Sequence, residues 1–332
     1  MSGFGDYFLH QKYTKIAGLG NKLGEIRDII DWEKFRPIIS EMYRDNKETG
    51  VRPHNDEILM IKMLVLARWH GLSDYEVELL ATDRLSFRHF LGYPEKIPDR
   101  STVWLFRENL TNHGKLHLIW DELQRQLDEQ GYSIKRGTIQ DASFITSDPG
   151  HAPADKPWGD AARTRRSRDG TWARKGNKSE FGYKLHPLIN KEHQFVRRFD
   201  MSTASLHDSQ IDLSQKGETI YRDKGYFGTI PFASIDKTMK RSVRGKPIST
   251  KDKRRNRAIS RTRSLVERPF AVIKRVFHAG HVMVTTHLRA HVKIHFTCFT
   301  YNLFNLVTVQ KNIPLSGSSQ KKRKFCGRNT ES

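Results

Sequence analysis

The sequence predicts a helical segment followed by an α/β domain, and three observations carry that fold class. Up to about residue 130, apolar residues recur at helical spacing behind capping signals. Beyond it, strand-like and helical runs follow in the order strand, strand, strand, helix, strand, helix. The charge divides at the same place: residues 1–130 hold 18 basic and 21 acidic side chains, and residues 131–332 hold 40 and 16. A chain of 332 residues is long enough for two domains. We take 1–130 as an α-helical domain, 131–310 as the α/β domain and 311–332 as a flexible basic tail.

The first fifty residues offer one amphipathic piece, Leu23 to Phe35, with the pattern of a packed helix. The run from Asn55 to His70 is the most apolar in the first half, and Asn55 or Asp56 can cap it, so it reads as a buried helix. Ser73 and Glu76 form a capping box for a helix through Leu80. Ser101 or Asp99 caps another, which carries Val103, Trp104, Phe106, Arg107 and Leu110. Helices joined by short turns suggest a helix-turn-helix-like bundle. The helix over 102–110 either enters a DNA groove, with Arg107 as a contact, or serves as core through Trp104, Phe106 and Leu110. Leu116 to Gln130 reads as a further helix.

In the second half, Gly137 to Gln140 reads as a strand closed by Asp141. The segment His151 to Lys178 mixes basic residues with prolines and glycines without a period, and reads as a mobile loop. Phe181 to Ile189 and Phe195 to Met201 form a hairpin across a polar turn; Leu206 to Leu213 reads as a short helix. A strand from Thr219 to Arg222 is closed by Asp223 and the turn-like Lys224 to Gly228. From Arg261 to Phe277 the apolar residues Leu265, Val266, Phe270, Val272, Ile273, Val276 and Phe277 fill one arc of a helical wheel. Arg263, Glu267 and Lys274 lie at about 160°, 200° and 180° on that wheel, which predicts a half-buried carboxylate between two cations. Pro269 removes a backbone donor just after Glu267, so the helix is expected to bend there.

Two acids at strand ends and one on a helix suggest a site. Three carboxylates drawn together repel by up to ~4 kcal/mol per pair at about 4 Å and an effective dielectric of about 20. Divalent cations remove that penalty, and oxygen ligands suit Mg²⁺ or Mn²⁺. Between Lys240 and Arg263, eleven of 24 residues are Lys or Arg against the single acid Asp252, a run that includes Arg254, Arg255 and Arg257. With a formal charge of +21, the chain expects a polyanion partner, double-stranded DNA above all. Cys298 and Cys326 have no metal-ligand spacing and suggest a reducing compartment. No secretory segment is expected, and Ile294 to Val309, broken by His295, Asn302 and Asn305, reads as a core helix rather than a membrane span.

On these residues the chain resembles the DDE transposases of prokaryotic insertion sequences, in the branch called insertion sequence five. Arg263, Glu267 and Lys274 keep that branch's spacing of an Arg, three residues, a Glu, six residues and a Lys, and the turn after Asp223 fits as well. The full signature opens with a Tyr three positions before the Arg, where this chain has Ser260. The resemblance implies a ribonuclease-H-like catalytic domain, with Asp141, Asp223 and Glu267 holding two Mg²⁺ (or Mn²⁺) ions for cleavage and joining of DNA. It implies that Arg263 and Lys274 meet phosphates, that the N-terminal domain recognises element ends or oligomerises, and that the protein works in the cytoplasm as a dimer or larger assembly on DNA. His186 and His207 also match positions where relatives carry similar residues, and stand as supporting groups or as plain packing. Two rival readings remain: a nuclease of the same fold that cuts without joining, and a DNA-binding remnant without activity.

Overall fold

The computed structural model describes residues 11–16, 18–46, 54–150, 167–244 and 247–312. The tail over 311–332 lies almost wholly outside them, as does the first part of the loop expected from His151. The helical region comprises α1 (Lys22–Ile29), α2 (Arg36–Ser40), α3 (Glu57–Trp69), α4 (Asp74–Asp83), α5 (Leu85–Leu91), α6 (Arg100–Asn112) and α7 (Leu116–Glu129). Its capping follows local chemistry. Asp56 accepts from the Leu59 amide at the head of α3, Ser73 and Glu76 close a capping box on α4, and Asp99 accepts from the Thr102 amide at α6. Helix α3 is buried on nearly every side, as expected of so apolar a run. Helix α5 was not expected; it ends on Gly92 in the left-handed region, which suits a residue without a Cβ.

The second half builds one mixed sheet: β1 (Thr138–Gln140), β2 (Ser143–Ser147), β3 (Thr171–Lys175), β4 (Lys178–Asn190), β5 (Val196–Thr203), β6 (Thr219–Arg222), β7 (Ile235–Thr238) and β8 (His281–Val282). Strand β4 is its spine. It pairs antiparallel with β5 along one edge, and along the other with β1 and then β2, the chain jogging between them at Asp141 and Ala142. Strand β6 runs parallel to β1, and β7 parallel to β6. A Cβ on Gly182 would lie 2.2 Å from the Ile145 carbonyl oxygen, so β2 can approach β4 this closely only at a glycine.

Three sequence expectations change here. Part of the supposed loop is β3, held by pairing to β4 rather than by any alternation of its own. The helix expected over Leu206 to Leu213 shrinks to one 3₁₀ turn, Asp208–Gln210, because Lys184 bonds both the Leu206 carbonyl and the Asp208 carboxylate and holds the chain open. The arc around Phe277 breaks into α8 (Thr250–Arg263), a 3₁₀ turn over Ser264–Val266, α9 (Glu267–Ala271) and a π turn over Val272–Val276. Pro269 cannot donate to residue 265, which accounts for the break. The π turn, closed by the Phe277 amide on the Val272 carbonyl at 3.0 Å, inserts an extra residue per turn. The phase slips, and Val276 faces outward with 46% exposure while Ile273 and Phe277 stay buried.

Helix α10 (His287–Asn312) joins the two halves. Phe299 and Phe304 meet Phe35 and Trp69 of the helical region. On the sheet side, Asn302 accepts from the Val196 amide and donates to the Val196 carbonyl at 2.8 Å each, continuing the β5 ladder with a side chain. Most of the buried apolar residues form one cluster running through both halves. Among the described residues, no helix is long and apolar enough to cross a membrane.

Candidate active site

Strand register builds the site. Thr138 pairs with Ile220 and Ile139 with Tyr221, an offset of 82 residues that, continued along the strands, sets Asp141 beside Asp223. Neighbouring strands lie about 4.8 Å apart, so two carboxylates emerge together at the carboxyl ends of adjacent parallel strands. The Asp223 side chain caps the following turn, accepting from the Gly225 amide at 2.7 Å. Asp141 accepts from the Ala142 amide at 2.9 Å with one oxygen and from Arg263 Nη2 at 2.6 Å with the other.

The electrostatics follow from burial. Asp141 has only 16% of its side chain exposed. Desolvation raises its pKa above the ordinary 3.8, Arg263 and the Ala142 amide oppose that rise, and the nearby charge of Asp223 adds to it. Tyr226, buried beneath the same turn, has its hydroxyl pKa pushed up by desolvation first and then by Asp141, Asp208 and Asp223. Burial first, and then the charges of these carboxylates, keep the phenol protonated.

The structure gathers some of the expected site residues and not others. Glu267 lies one turn beyond Arg263 and is exposed, not half buried, because the 3₁₀ turn rotates it away from the packed face. Among the described residues, no three His, Cys, Asp or Glu side chains converge closely enough to hold a metal ion. Lys274 is partly buried, its stem about 3.7 Å from where a Cβ on Gly280 would sit. His186 is fully buried in β4, with Nε2 at 2.7 Å from Ser202 Oγ, and desolvation lowers its pKa to about 4. His207 caps the 3₁₀ turn after β5, its Nδ1 accepting from the Ser209 amide. Arg107 makes a two-pronged ion pair with Asp74, both bonds 2.8 Å, and so ties α6 to α4.

Helix α8 sorts its cations. Arg255 donates to the Thr238 and Asp236 carbonyls, and Asn256 exchanges bonds with both the amide and the carbonyl of Lys240. These two, with the buried Ile259, fasten the helix to the β7 side of the sheet. Arg254, Arg257 and Arg261 stay exposed. Sequence reasoning passed over Tyr226 and the Lys184–Asp208 pair; the Lys-Gly-Tyr turn after Asp223 was the only local signal for the first, and the second joins residues 24 apart.

Two strand-end carboxylates thus lie under a basic helix, in a mixed sheet behind a helical region. Residues 133–303, just over half the chain, match the family described as the transposase DDE domain, and residues 11–109 match a transposase domain. The chain therefore belongs to the DDE transposase family. No solved structure matches it.

Proposed function

We propose that this protein binds the ends of an insertion sequence, cleaves there by metal-dependent hydrolysis of a phosphodiester, and joins the freed 3′ hydroxyl to target DNA. The observation that carries the reading is the register-set pair Asp141 and Asp223, with Arg263 reaching Asp141 from the basic helix. The pair fits a divalent cation: both groups are hard oxygen donors, and Asp141 is desolvated and already draws a cation to itself. Asp141 and Asp223 would hold Mg²⁺ or Mn²⁺, with Glu267 as the third acid on the strength of its spacing from Arg263 and Lys274. Such ions, two in this reading, supply Lewis-acid stabilisation of an in-line displacement at phosphorus.

The remaining roles belong to the chain itself. Arg263 is the counter-charge of Asp141 in the free protein and turns to a DNA phosphate in the complex; Lys274 takes a second phosphate. Arg254 and Arg257 bind the backbone from the outer face of α8, while Arg255 keeps that helix in place. Arg107 is left out of the DNA-facing set because Asp74 engages both its terminal nitrogens. The helical region over 1–130 then serves end recognition or assembly of two or more subunits on DNA. The spacing of Arg263, Glu267 and Lys274 supports the insertion-sequence-five branch, and a cytoplasmic site of action goes with the transposase reading.

Labelled element ends incubated with a plasmid target and Mg²⁺ test the whole reading. Joined products are expected. Cleaved ends without joining would instead indicate a nuclease, and binding without either product an inactive remnant.

A further inference from the structure

Beside the acid pair, the turn after Asp223 and helix α8 flank a cleft of about 640 Å³ lined by Lys224, Met239 and Ile248 and by Lys253, Arg257 and Arg261 of the helix. Its wall and floor differ in chemistry. Met239 and Ile248 are half buried and apolar, whereas Lys224, Lys253, Arg257 and Arg261 are exposed and make no ion pair among the described residues. Lys253, Arg257 and Arg261 follow one another at every fourth position, which sets a cation about every 6 Å along the helix. The volume is that of a ligand pocket and takes about one or two nucleotides.

A duplex would satisfy only half of these groups. Its phosphates could reach the cations, but its bases are stacked and their faces covered, so the apolar floor would stay wet. A purely apolar ligand would leave four cations uncompensated. Unpaired nucleotides present both a charged backbone and bare base faces. We propose that this cleft holds an unpaired stretch of one DNA strand beside the catalytic acids, its bases against Met239 and Ile248 and its phosphates on Lys224, Lys253, Arg257 and Arg261. The inference deepens the transposase reading and rests on it. The strand lies next to Asp223 because Lys224 is both its ligand and the next residue of the chain.

Fluorescence anisotropy with the full chain tests this, using a blunt duplex and the same duplex extended by about six unpaired nucleotides, at moderate salt without divalent metal. The floor is aliphatic rather than the aromatic platform on which bases stack in other single-strand sites, so the extended probe should bind only about fivefold tighter. Ile248→Asp should bring that ratio close to one while leaving blunt-duplex affinity within about twofold. Arg257→Glu, on the exposed wall where folding is not at stake, should weaken both probes and the extended one more. Equal affinity of the native chain for the two probes would overturn the cleft assignment alone, as would an unchanged ratio in both variants. Failure of both probes to bind would overturn the DNA reading together with it.

Discussion

Replacing Arg263 by Gln tests how the acid pair is held in the free protein. Arg263 Nη2 and Asp141 Oδ2 are 2.6 Å apart, with side chains 18% and 16% exposed. Breaking a fully buried pair costs about 3–5 kcal/mol, and the residual exposure here reduces that to about 2–3 kcal/mol at neutral pH. The sign of the pH dependence is fixed by Asp141. Its pKa in the folded chain is already raised above 3.8, chiefly by burial, and loss of Arg263 removes the main opposing charge and raises it further. The folded variant then binds a proton more readily than the unfolded chain, so its stability falls as pH rises through that pKa. The deficit of Arg263→Gln should be largest near pH 7 and shrink as pH falls toward 4. Urea unfolding at both pH values measures it, and a cycle with Asp141→Asn and the double variant isolates the pair, with a coupling of about 2 kcal/mol expected. A coupling below about 0.5 kcal/mol, or a deficit that does not change with pH, would refute the assignment of Arg263 as the counter-charge of Asp141.

Four further outcomes are expected. Asp141→Asn, Asp223→Asn and Glu267→Gln should each abolish cleavage and joining while DNA binding persists or tightens, and Asp148→Asn and Asp208→Asn should keep partial activity; the reverse pattern in a strand-transfer assay would mean the wrong acids were chosen. Arg254→Ala and Arg257→Ala should each lower the slope of log affinity against log salt by about one, whereas Arg255→Ala should reduce thermal stability instead. Asn302→Leu should cost about 1–3 kcal/mol in denaturant unfolding, because it strands the buried amide of Val196, while the Val196 carbonyl keeps its bond from Gln124 at 3.2 Å. His186 is held neutral, its pKa lowered from 6.5 to about 4 by burial, so its contribution is full above pH 6.5 and is lost as pH falls toward 4. Its share is about 3 kcal/mol, and His186→Gln should flatten unfolding free energy between those pH values.

What the sequence by itself determined was whatever depends on neighbours along the chain. The caps Asp56, Ser73 with Glu76, and Asp99 act within three residues, and each does in the structure what its position implied. The apolar run of α3, the strand ends at Gln140 and Arg222 and the β4–β5 hairpin are local in the same sense. The family, too, is carried by short spacings. Tertiary structure decided whatever depends on distant partners. Strands β2, β3 and β8 exist because other strands complete their hydrogen bonds, not because their own residues alternate. Arg107 and Arg255 look like free cations until Asp74 and the β7 carbonyls take them up. A helical wheel put Glu267 on the rim of a buried face because it assumes a constant 3.6 residues per turn. The 3₁₀ turn before Glu267 and the π turn after Pro269 vary that period, and so the exposure of Glu267 and Val276 was settled only when the segment packed.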